Sequence, residues 1–151
     1  MTLTAHSLIA AAIVSKVSSP VVGLPLVLAS HFLADKVPHW DIMTSKNKSN
    51  RRIAVETSID IILGFSVAAA FWVVKPGVDP AYFFTAILFS QLPDLLEAPY
   101  IFPKFNNPVS KGVYKFQHFI HDLWFDARMP APWGFVTQIG VTGAFLLWAL
   151  I

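Results

Sequence analysis

The stretch SIDIILGFSVAAAFWVV (residues 58–74) decides the fold class, because it contains one charged residue, Asp60, and ends at Lys75-Pro76-Gly77. A continuous apolar run of this length predicts a membrane helix. Comparable runs lie at about residues 3–17, 21–37, 80–98 and 132–151. The sequence therefore predicts an all-α integral membrane bundle with about five membrane segments.

The composition agrees with a membrane protein. Hydrophobic residues make up 55% of the chain and charged residues 13%, whereas a soluble domain has about 25% charged residues. The 151 residues suit a single membrane-embedded domain over 1–151. There is no cysteine, which excludes disulfides and thiolate metal sites, so a metal would need nitrogen and oxygen ligands.

The basic residues predict the orientation in the membrane. They cluster in two regions, after the second and the fourth apolar runs: Lys36, Lys46, Lys48, Arg51 and Arg52, then Lys104, Lys111, Lys115 and Arg128. By the positive-inside rule both regions face the cytoplasm of an inner-membrane protein. This pattern suits lipid headgroups better than nucleic acid, and no nucleic-acid partner is expected. Residues 111–126 are too polar to cross and predict one interfacial helix.

On this topology the histidines and most of the acidic residues meet at the cytoplasmic edge. Ionisable groups are costly in such a chain unless they pair or bind a metal. His31 and Asp35 are spaced i, i+4 and share a helix face, and His118 and Asp122 repeat the spacing. These four residues are the first-choice metal ligands. The second-choice ligands or general bases are His6, His39, Asp60, Asp94 and His121, with Asp94, Asp60 and His121 assigned to proton transfer.

Structural interpretations stay open for the same residues. The two His-x-x-x-Asp pairs could form a purely structural network, in which the Asp orients the His. His6 could be an interfacial helix cap, and His39-Trp40-Asp41 could be an anchoring turn. Glu97 is interpreted as a solvated residue beside Pro99.

At these residues the chain resembles a family of small integral-membrane proteins described as metal-dependent hydrolases. The resemblance is carried by Thr4-Ala5-His6, by Ser30-His31 to Asp35 and by Pro93-Asp94, although the order of the motifs differs from that family. The His-x-x-x-Asp helices are also similar to those of the zinc-dependent phospholipase C and single-strand nuclease superfamily. By analogy, this likeness implies phosphoester hydrolysis on an all-helical fold.

Together these features predict a metal-dependent hydrolase, with a lipid phosphate ester as substrate. It would hold one to three divalent ions, with zinc the best match to imidazole and carboxylate ligands and manganese or iron also compatible. A metal-bound water would be the nucleophile, and Lys36, Arg51 or Arg52 could hold a second phosphate. The alternatives are a metal-ion or proton transporter and a non-enzymatic membrane adaptor with a structural metal. The substrate and the oligomeric state are open.

Overall fold

The computed structural model describes residues 1–42, 48–101, 107–123 and 128–151, and within these ranges every regular element is a helix. This confirms the all-α prediction. The interfacial segment was predicted to continue to Asp126, and that residue, Lys46 and Lys104 lie outside the described ranges. The helices are α1 Leu3–Lys16, α2 Pro20–Ala34, α3 Asn50–Val74, α4 Pro80–Ile101, α5 Pro108–Asp122 and α6 Trp133–Leu150.

The predicted number of about five membrane segments is wrong. Among the described residues, only α3 and α6 are long and apolar enough to cross a membrane. With 14 and 15 residues, α1 and α2 would reach about 21–23 Å at 1.5 Å per residue, short of a hydrocarbon core of about 30 Å. Helix α4 has 22 residues, but Gln91, Asp94 and Glu97 make its second half too polar.

Helix α1 occupies the centre of the bundle and packs against α2, α3, α4 and α6. Its residues Ala10, Ala11 and Ala12 are fully buried, and such small side chains let neighbouring helices approach closely. On α3, Gly64 allows the same close approach to α1, because a Cβ at this position would lie 2.8 Å from Oγ of Ser7. The central position of α1 places His6 and Ser7 inside the bundle.

The outer surface of the bundle is apolar. Val21, Leu33, Ile62 and Ile139 are exposed by 84%, 70%, 66% and 71%. Only 11% of the apolar window of α3 and 22% of that of α6 are buried, whereas a core helix of a soluble protein would be mostly buried. Large exposed apolar surfaces mark contact with a membrane or a partner.

Helix α5 is amphipathic, with its apolar face turned outward. Phe116 and Phe119 are exposed by 51% and 61%, while Gln117 is buried on the side where α5 packs against α4. The predicted helix in this region is confirmed, and its placement at a membrane interface stays a prediction that this exposed apolar face supports.

Candidate metal centre

The first part of the centre is a contact between two histidines from different helices. The rings of His6 on α1 and His31 on α2 stack with centroids 4.1 Å apart and an interplanar angle of 25°. Both side chains are buried. Nε2 of His6 lies 3.1 Å from Oδ1 of Asp35, and Nε2 of His31 lies 3.4 Å from Oδ2. Asp35 therefore contacts both rings, and its Oδ1 also pairs with the α-amino group of Met1.

Helix α4 contributes the third member of the group. Oδ1 of Asp94 lies 3.6 Å from Nε2 of His31. His6, His31 and Asp94 each offer one ligand atom, and these atoms all lie within 4.8 Å of one another. This group could hold a metal ion, because imidazole nitrogen and carboxylate oxygen are common ligands of divalent transition metals.

The backbone of α4 sets the orientation of His31. Nδ1 of His31 lies 2.8 Å from the carbonyl oxygen of Ser90, so we assign the proton to Nδ1 and the lone pair to Nε2. Nε2 also lies 3.2 Å from Oε1 of Gln117. The Nε2 lone pair thus faces the carboxylates of Asp35 and Asp94 beside the Gln117 amide, and the lone pair and the carboxylate oxygens repel one another. A metal ion or a proton at Nε2 would relieve that repulsion, so the donor set fits a cation.

A cavity of about 700 Å³ adjoins the group. Its wall includes Asp35 and Asp94, whereas the two histidines lie behind these carboxylates. Oε2 of Glu97 and Nε2 of Gln117 are buried without a hydrogen-bond partner in the described part of the chain. The cavity therefore leaves room for a ligand that the group does not itself supply. Further lining residues are Asp41, Glu97, Gln117, His118 and Arg128.

Asp60, a predicted general base or ligand, holds the start of α1. Its Oδ2 accepts from the Leu3 backbone N–H at 2.7 Å. Its Oδ1 accepts from the backbone N–H and the hydroxyl of Thr4 at 3.1 and 2.6 Å. The first N–H groups of a helix lack intrahelical acceptors, and a carboxylate there also interacts favourably with the helix dipole. Asp60 thereby fixes the helix that positions His6.

We expect Asp60→Ala to destabilise the protein by about 1–3 kcal/mol, since it leaves the N–H groups of Leu3 and Thr4 without their acceptor. Thermal unfolding in detergent would measure the loss. Asp60→Asn keeps one acceptor oxygen and should lose less stability. If Asp60→Ala unfolds at the wild-type temperature but loses all activity, the proton-transfer role predicted from the sequence would be the better account.

The second His-x-x-x-Asp motif does not join the group. His118 lines the cavity, but its Nδ1 donates to the Tyr114 carbonyl at 3.1 Å and its ring centroid lies 3.9 Å from that of Tyr114. Asp122 is exposed at the end of α5, and the side chain of His121 lies outside the described part of the structure. The ionisable partners of the His31–Asp35 pair are His6 of α1 and Asp94 of α4, and α5 contributes the neighbouring Gln117.

His39 and Asp41 lie in the segment after α2. Nδ1 of His39 donates to the Val37 carbonyl at 2.7 Å, and Nε2 lies 3.6 Å from Oδ2 of Asp41. The His39 carbonyl accepts from the Met129 N–H at 2.6 Å. These contacts tie the segment to the start of α6, in keeping with an anchoring turn, while Asp41 reaches the cavity wall.

Several residues that shape the centre are not among those predicted from the sequence. Glu97 was interpreted as solvated, and Ser90, Gln117 and Arg128 were given no role in the site. The sequence feature that could have identified such residues is a pair of adjacent polar residues within an apolar helix, such as Ser90-Gln91. Nε2 of Gln91 donates to Oγ of Ser7 at 2.7 Å, so this pair continues the polar layer beside His6.

Comparisons with family models, with curated proteins and with solved structures found no match to this chain. The resemblance to membrane hydrolases therefore stays a prediction. Each of the three motifs behind that resemblance contributes one member of the group. They are His6, His31 and Asp94. Function is accordingly inferred from the residues of the centre.

Proposed function

We propose that this protein is a membrane-embedded, metal-dependent hydrolase that cleaves phosphoesters at the depth of lipid headgroups. The observation that carries the proposal is the His6–His31–Asp94 group, with both histidines buried, beside a cavity. A space large enough for a small molecule lies next to these candidate ligands, and this favours a site that accepts a substrate.

Several residues in and beside the cavity have a role in this proposal. His6, His31 and Asp94 would hold the metal, and the Ser90 carbonyl keeps Nε2 of His31 directed towards it. When bound, a divalent metal supplies an electrophile that polarises an ester oxygen and acidifies water. Arg128 on the cavity wall offers a cation to a phosphoryl oxygen, and Glu97 offers a carboxyl for proton transfer. Zinc suits the nitrogen and oxygen donors best.

The position of the cavity supports a lipid substrate. Asp60, near the start of the apolar part of α3, lines it, and the chain that follows α2 connects the same region to the start of α6. The cavity thus lies beside the amino-terminal half of α3, and the segment tied to the start of α6 contributes Asp41 and Ile42 to its wall. Headgroup phosphates lie near an end of a membrane helix. The cytoplasmic orientation rests on the loop charges alone.

We expect slow hydrolysis of lipid phosphates by the purified protein in detergent, lost on treatment with a chelator and restored by zinc or manganese. A panel of phosphomonoesters and phosphodiesters, with and without acyl chains, would be assayed for released phosphate or alcohol. Acyl-chain substrates should be preferred. Absence of chelator-sensitive turnover on the whole panel, together with metal uptake into sealed vesicles, would contradict the proposal and favour a transporter.

A further inference from the structure

A second cavity, of about 720 Å³, forms a groove on the outer side of the bundle. Helices α3 and α6 each pack on α1 but hardly touch each other, so a gap stays open between them. Leu8 of α1 forms the floor of the groove, and its sides are formed by Ile59, Leu63, Ile139 and Leu146. This groove has the apolar lining that a hydrocarbon chain requires.

One end of the groove is basic. Lys48 and Arg52 line it there with Glu56, and Nε of Arg52 donates to Oε1 of Glu56 at 2.7 Å. Lys48 also donates to Glu56, and two cations beside one carboxylate leave the trio with a net positive charge. The Arg52 side chain is 66% exposed, and its remaining donors are accessible to a phosphate.

A buried hydroxyl faces the groove without a partner. Thr142 is 7% exposed and lines the groove, and its Oγ1 has no hydrogen bond within the described residues. An unsatisfied buried hydroxyl is costly. A polar atom of a ligand at this position would remove that cost.

The groove is long enough to hold a short acyl chain. On α3 the lining runs from Arg52 to Leu63, which at 1.5 Å per residue is roughly 16 Å. Thr2, Ile42 and Asp60 line both this groove and the cavity beside the metal-binding group. A lipid in the groove would therefore have its headgroup next to that cavity.

We propose that the groove between α3 and α6 binds one acyl chain of a phospholipid, with the phosphate at Arg52 and the chain extending towards Thr142. The basic end excludes a purely apolar occupant, and the apolar length excludes a soluble phosphate. The inference rests on the proposed function for its link to the metal centre and names an acyl phospholipid as the substrate class. Binding itself is measurable without turnover.

Two glycines of α6 give a matched pair of variants. A Cβ at Gly143 or at Gly140 would meet no atom within 4 Å, so a side chain can start from either position without a clash at its Cβ. Gly143 lines the groove, and Gly140 is not among its lining residues. Gly143→Phe should fill the groove, whereas Gly140→Phe adds the same bulk to α6 at a position outside it.

The test is a titration of delipidated, chelator-treated protein in detergent with dioctanoyl phosphatidic acid, followed by native mass spectrometry. We expect saturable one-to-one binding that Gly143→Phe weakens at least tenfold and Gly140→Phe leaves unchanged. Arg52→Gln should weaken binding of this lipid but not of dioctanoylglycerol, which lacks the phosphate.

Equal weakening by both glycine variants would overturn the inference, because it would indicate non-specific partition into the micelle. A dimer that Gly143→Phe dissociates would also overturn it, by showing that a second copy of the chain covers the groove. The metal-free protein should bind the lipid as well as the metal-loaded protein does. Lipid binding without chelator-sensitive turnover would thus refute the proposed function while leaving the groove assignment intact.

Discussion

His31→Ala is expected to remove the bound metal and all chelator-sensitive hydrolysis. His31 is the member of the group with the most polar neighbours, since its Nε2 lies within 3.6 Å of Asp35, Asp94 and Gln117. Loss of a residue that merely orients a ligand lowers metal affinity about 10–100-fold, and loss of the ligand itself should exceed that range. Metal analysis of purified protein after zinc loading measures the effect.

The matched control is the double variant His118→Ala, Asp122→Ala, which removes the motif of identical spacing on α5. Its metal content should equal that of the wild type, because His118 is directed to the Tyr114 carbonyl and Asp122 is exposed. Metal loss in the control with retention in His31→Ala would place the centre on α5. Wild-type protein that stays metal-free after zinc loading would leave only a structural network. Thermal unfolding of each variant shows whether the bundle is intact.

The two motifs illustrate what the sequence could predict about the site. The i, i+4 spacing of His31 and Asp35 is a local property of a helix, and the structure has both side chains facing the same group. The same spacing on α5 does not predict its partners. On this amphipathic helix Phe116 and Phe119 face outward and Gln117 faces inward. The residue that faces the group is therefore Gln117, which precedes the predicted ligand His118.

Residues distant in sequence were the harder part of the prediction. His6 and Asp94 meet His31 because α1 is surrounded by the other helices, and the close packing that allows this depends on small residues such as Ala11 and Gly64. Asp60 was predicted as a base because an acid in an apolar run requires a partner. In the structure that partner is the backbone N–H of Leu3 at the start of α1. Spacing within one segment cannot reveal such a contact between two helices.

Helix lengths explain why the bundle was predicted well and the spans were not. The boundaries of the helices lie within a few residues of the predicted apolar runs, except that α3 begins earlier, at Asn50. Apolar character alone does not distinguish a spanning helix from one that is enclosed by others. Helix α1 is as apolar as a membrane segment, yet its 14 residues are mostly buried inside the protein.

Glu97→Gln is expected to lower turnover by about 10²-fold or more while the metal content stays unchanged. Glu97 lines the cavity, and its buried Oε2 has no hydrogen-bond partner among the described residues. It is not a member of the group that could hold the metal. General acid–base catalysis by a positioned side chain contributes about 10²–10⁴-fold to a rate. A carboxyl with this position is therefore the best candidate for moving the proton.

The dependence of turnover on pH distinguishes proton transfer from a purely structural effect. A glutamine cannot donate or accept the proton, so Glu97→Gln should lose one limb of the pH–rate profile, and Glu97→Asp should restore part of that limb. A uniform loss at every pH would instead indicate that the substitution distorts the cavity. If Glu97→Gln loses metal and turnover in parallel, Glu97 is a ligand, and proton transfer passes to Asp94 or to water. Because Glu97 and Asp94 lie on one face of α4, one turn apart, the metal analysis and the pH profile are needed together to separate their roles.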